Sequence, residues 1–139
     1  MDFKSVLAHL FYLVVYADSQ VNDKEVSLGK KMAALEGLDE KTFEDTVTSL
    51  QSRDKNTVLS QSITELKKLD KKQQIRCVAW LCVIANGDGF MDKEEWTLIY
   101  KIYHTELGLA LNEVMEAQKE LNKALFGSSF QSIGVRVND

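Results

Sequence analysis

The chain has 139 residues, a net charge of −4, 45% hydrophobic residues and no proline. That is the size of one domain with a full core, and it excludes a disordered chain and a basic nucleic-acid-binding surface. No apolar run is long enough to span a membrane and the N-terminus lacks a secretory pattern, so a cytoplasmic protein with no direct membrane insertion is expected.

Helical periodicity dominates. Phe3, Val6, Leu7, Leu10, Leu13, Val14 and Ala17 recur at helical spacing and predict a first helix over 3–17. An acidic turn follows. A second helix is expected from about Asp23 to Leu35, closed by Gly37. Asp39 fits an N-cap for a third helix to about Arg53, with Phe43, Val47 and Leu50 inward. A fourth is expected from Thr57 to Leu69. Lys67, Lys68, Lys71, Lys72 and Arg76 then form the one basic cluster, read as lysines at a helix C-terminus. No aromatic residues interleave them, as single-strand binding would need.

The fifth helix, over about 73–86, is apolar on every side from Val78 to Ala85 and should pack centrally against the first. Cys77 and Cys82 lie in it at a spacing that fits neither a CxxC pair nor a zinc knuckle, so reduced, buried thiols are expected. A second acidic turn precedes a sixth helix to about Leu107, closed by Gly108. Asn112 is the expected cap of a last helix to about Phe126, and 127–139 reads as a flexible tail. His9 and His104 are isolated, and no HExxH, GxSxG or Walker pattern occurs, so an enzyme is not expected.

The two turns are copies. Shifted by 70 residues, Asp18 falls on Asp88, Val21 on Met91, Asn22 on Asp92 and Glu25 on Glu95. Both read Asp-x-x-apolar-(Asn/Asp)-x-x-Glu, and with one inserted residue Gly37-Leu38 matches Gly108-Leu109. A duplicated helix-turn-helix unit follows, in one pseudo-twofold domain over 1–126. Its halves are about 1–53 and 70–126, with the fourth helix, about 57–69, as the link.

Two chemistries fit the turns. In the first, Asn22 with Glu25 and Asp92 with Glu95 are capping boxes, and Gly87 and Gly89 end the preceding helix in left-handed conformation. In the second, Asn86-Gly-Asp-Gly-Phe-Met-Asp-Lys-Glu-Glu95 resembles the last ten residues of an EF-hand loop. Asn86, Asp88 and Asp92 then stand at side-chain ligand positions and Glu95 at the closing carboxylate, while the loop's first position is Ile84. Asp18, Asn22 and Glu25 form the poorer first copy. Residues 18–25 carry a balance of −2 and residues 86–95 a balance of −3. Acid–base catalysis by Asp88 and Glu95 would need raised pKa values, which an exposed turn does not supply.

The pattern resembles the TerB-like family, named for a tellurite-resistance protein and found fused to J-domain co-chaperones. Ala17-Asp18-Ser-Gln-Val21-Asn22-Asp-Lys-Glu25 and Asp88-Gly89-Phe-Met91-Asp92-Lys-Glu-Glu95 are similar to the family's repeated Ala-Asp-Gly-x-apolar-Asp-x-x-Glu. Ser19 and Asn22 replace glycine and aspartate in the first copy. The resemblance implies an all-α compact bundle of about seven helices, intracellular and non-enzymatic. It also implies a link to tellurite and metal stress. Its acidic turns would hold a divalent cation (Ca, Mg or Mn) through Asp88, Asp92, Glu95, Asn86, Asp18, Asn22 and Glu25. A protein partner of unknown identity is expected, with a homodimer as an open possibility. The competing expectation is a metal-free, co-chaperone-like interaction scaffold whose turns only cap helices.

Overall fold

The computed structural model describes residues 1–17, 21, 23–87 and 91–137, with backbone alone for 127–137. Among them are seven α-helices and no strand: α1 (Phe3–Val15), α2 (Asp23–Glu36), α3 (Glu40–Leu50), α4 (Lys55–Lys67), α5 (Lys71–Ala85), α6 (Lys93–Tyr100) and α7 (Leu111–Val137). A π-helical turn, Lys101–Glu106, continues α6.

Aspartate N-caps set most of the helix starts. Asp2, Asp39, Asp54, Asp70 and Asp92 each accept from the backbone N–H three residues on, satisfying a donor the helix leaves orphaned. Asp54 and Asp70 start α4 and α5 two residues earlier than apolar periodicity alone predicts. Asn112 is not a cap: it lies inside the first turn of α7, whose early N–H groups bond to the Ala110 carbonyl. The backbone of α7 also runs past Phe126 to Val137. Apolar periodicity fades there, but no proline breaks the helix, and a glycine such as Gly127 costs only about 1 kcal/mol in a helix interior.

Gly37 and Gly108 close the two equivalent helices in left-handed conformation, at φ 75° and 62°. In both copies the leucine that follows donates back to the helix, Leu38 to Ala33 O at 2.7 Å and Leu109 to Tyr103 O at 2.8 Å. The residue inserted in the second copy is absorbed between them. Leu107 N donates to Ile102 O at 3.1 Å, five residues back, so the π turn takes up the extra residue and the glycine–leucine closure is kept. Gly87 takes no left-handed conformation. A Cβ there would lie 3.1 Å from Leu28 Cδ1 and from Ile84 O, so this glycine permits close approach of α2.

α1 and α5 form the centre. Nine consecutive residues of α5, Cys77 to Ala85, are buried, and α1 buries nine side chains around its circumference. The two helices pack on each other, α3 and α4 cover α1, and α7 covers α5. α2 packs on α5 and also on α1, and α6 packs on α1 and also on α5. Both motif helices therefore lie against the central pair α1 and α5.

Candidate functional site

Glu25 lies on α2 and Glu95 on α6, and both are buried, at 5% and 4% exposure. They are two of only three buried polar or charged residues among those described. Their side chains share a hydrogen bond, one carboxyl to the other. Such a pair holds a proton, because two carboxylates cannot both ionise side by side in a poorly solvated site. Burial is the main cause that pushes the Glu95 carboxyl up to about 9, followed by the hydrogen bond to Glu25, the charge of Glu25 and the charge of Asp92. The sequence expects Glu95 in an exposed turn without a raised pKa. The structure corrects this: in the first turn of α6 Lys93, Glu94 and Trp96 stay exposed, but the Glu95 side chain turns inward and meets Glu25.

Asp92 forms the capping box expected of it. Its Oδ1 accepts from Glu95 N at 2.8 Å, and Glu95 Oε1 accepts from Asp92 N at 3.5 Å. Asn86 caps the C-terminus of α5 and turns back on it, Nδ2 donating to Cys82 O at 2.9 Å. Asp18, Asn22 and Asp88 lie outside the described residues. The structure thus brings together Glu25, Glu95 and Asp92 of the seven site residues read from sequence. Among the described residues no group of three or more His, Cys, Asp or Glu is placed to hold a metal ion. Glu25 and Glu95, with Asp92 beside them, are the described carboxylates with the chemistry for a hard cation, which would take the place of the shared proton.

The other sequence candidates resolve into structure. Four of the five residues of the basic cluster are engaged within the molecule: Lys67 pairs with Glu106 at 3.1 Å, Lys68 with Glu65 at 3.2 Å, Lys71 with Glu113 at 3.3 Å and Arg76 with Glu36 at 2.5 Å. Glu36 also accepts from Trp80 Nε1 at 2.6 Å, which satisfies the one polar atom of a fully buried indole. Cys77 and Cys82 are free and buried, and desolvation pushes both thiols up, Cys82 to about 11. His104 stacks on Tyr100 with ring centroids 4.6 Å apart, and His9 Nδ1 is 2.8 Å from Ser5 O. Sequence reasoning missed the meeting of Glu25 with Glu95. The signal was present, since the 70-residue shift that aligns the two motifs also aligns the closing glutamates.

Among the described residues no helix is long and apolar enough to cross a membrane. Neither the curated proteins nor the solved structures contain a match. The family model of the tellurite resistance protein TerB matches residues 4–119, and with most of its length matched the chain belongs to the TerB family.

Proposed function

We propose that the chain is a non-enzymatic, intracellular TerB module of tellurite or metal stress response, and that its paired acidic turns bind one divalent cation. The observation that carries this reading is the buried Glu25–Glu95 pair, contributed symmetrically by the two motif copies. Burying two carboxyl groups against each other is unfavourable for stability alone, since apolar residues of similar volume would cost less. Such an arrangement is useful if a cation replaces the proton. Glu25 and Glu95 would be the inner ligands, with Asp92, Asp88, Asp18, Asn22 and Asn86 as further oxygen donors. All-oxygen donors of this kind suit Ca, Mg or Mn. The cation would supply the positive charge that lets both glutamates ionise and ties α2 to α6. A protein partner would then read whether the two motif helices are tied.

A second reading has its own support. The Asp92–Glu95 capping box is complete, and the carboxyl pair satisfies itself with one proton, as a metal-free interaction scaffold would require.

Thermal melts after EDTA treatment, with Ca, Mg or Mn titrated in, separate the two. Binding to the native state stabilises it by about 2.7 kcal/mol at a hundredfold excess over Kd, and so raises the melting point with ligand concentration. The metal reading expects such a rise in the native chain and its loss in Glu25→Gln and Asp88→Ala. No rise with any of the three ions would leave the scaffold reading in possession.

A further inference from the structure

On the exposed side of the first turn of α6, the helices α1, α4 and α6 leave a cavity of about 380 Å³ between them. Its floor is apolar, from Leu13 of α1, Leu59 of α4 and Leu98 of α6. Its rim carries Lys55, Lys93 and Lys101 against the single acid Glu94. The helix geometry accounts for this placement. Lys93, Thr97 and Lys101 recur every four residues along one face of α6 and the start of the π turn that continues it, beside Leu98. Lys55 begins α4, and its ammonium donates to the Tyr16 carbonyl at the end of α1, which anchors it at the cavity edge. Lys101 pairs with Glu106 Oε2 at 3.5 Å, while Lys67 takes the other oxygen, Oε1, at 3.1 Å.

The charge is the informative part. Three ammonium groups and one carboxylate line a cavity in a chain whose net charge is −4. Lys55 and Lys101 each hold one partner, the Tyr16 carbonyl and Glu106, and together with Lys93 they surround a hollow with an apolar floor. Small-molecule sites have this form: a few hundred Å³, mostly apolar walls, and a few charged groups that fix orientation. We propose that the cavity binds a small organic anion, a carboxylate on a compact apolar body. The body rests on Leu13, Leu59 and Leu98, and the carboxylate meets the ammonium groups of Lys93, Lys101 and Lys55. The volume is too small for a long acyl chain, and the positive rim disfavours a cation or a neutral body of the same shape.

The test is an amide NMR titration of the full chain with octanoate, and in parallel with octanol and octylammonium. The expected result is saturable shifts confined to residues 13–17, 55–59 and 93–101. Octanoate should bind about tenfold more tightly than either analogue, as expected for charge recognition near a protein surface. Lys93→Glu with Lys101→Glu should weaken octanoate by at least about tenfold, and Thr97→Trp, which fills the cavity, should abolish it. All three positions are exposed, so the variants should remain folded; Thr97→Trp, which changes no charge, should also keep the native melting profile and the native response to metal, whereas Lys93→Glu stands beside Asp92 and Lys101→Glu gives up the pair with Glu106. Equal affinity for octanol would overturn the proposal, as would scattered or non-saturating shifts, or unchanged binding in Thr97→Trp. Binding of an acidic amphipathic peptide at these residues without any octanoate binding would also overturn it, and would make the cavity a protein-docking site.

Discussion

Replacing Glu95 by glutamine should stabilise the metal-free protein at neutral and alkaline pH while destroying its response to metal. Glutamine keeps the local geometry: its carbonyl oxygen can still accept from Asp92 N in the capping box, and its amide can donate to the Glu25 carboxylate. What it removes is the obligation to hold a proton. The ordinary Glu95 value is 4.5, and the folded value is raised to about 9 by burial first and by Glu25 second. A carboxyl raised in the folded state contributes its full stability below the unfolded value and loses it as pH rises from about 4.5 towards 9. At pH 7.5 about three units of that window have been crossed, which at 1.36 kcal/mol per unit gives a ceiling of about 4 kcal/mol. Water entry and an effective dielectric near 20 reduce it to about 2 kcal/mol. For a chain of this size that is a melting-point gain of about 6 °C.

The assay is a set of melts of both proteins in EDTA between pH 5 and 9. The curves should nearly coincide at pH 5 and diverge upward, the variant staying flat where the native chain declines. Both should weaken together in acid. Asp2, Asp39 and Asp54 are lowered by the backbone N–H groups they cap, so their contribution is lost as pH falls below the ordinary 3.8. Parallel curves for the two proteins from pH 5 to 9, or a variant less stable at pH 8, would refute the proton-sharing pair.

Three further outcomes follow from the packing. Gly29→Ala should destabilise by about 1–3 kcal/mol in denaturant melts, because the new Cβ would stand 2.3 Å from Phe11 Cε1, on a ring itself held against Phe43 at 5.1 Å. Gly108→Ala meets nothing within 4 Å, so its cost should come from the left-handed backbone alone, about 1–2 kcal/mol by the same measurement. Cys77 and Cys82 should react with Ellman's reagent at pH 7.5 only as fast as the protein unfolds, since both are buried and both thiols are pushed up; rapid native labelling would contradict their placement.

Much of this molecule is local and therefore legible in the chain itself. The run Val78 to Ala85 has no polar face, so a buried central helix is the only place for it. Gly37 and Gly108 end helices because only glycine takes their φ cheaply. The two acidic motifs declare a duplication by spacing alone, and even the single inserted residue is visible, although nothing local says that a π turn absorbs it. Contacts made over long separations are a different matter. Lys67, Lys71 and Arg76 read as a basic cluster until the fold delivers Glu106, Glu113 and Glu36 to them. Glu25 and Glu95 each read as the closing residue of a capping motif, 70 positions apart. Only the packing of both α2 and α6 on the central helices α1 and α5 turns two such residues into one buried, proton-holding pair, because burial and shared charge are properties of what packs against a side chain.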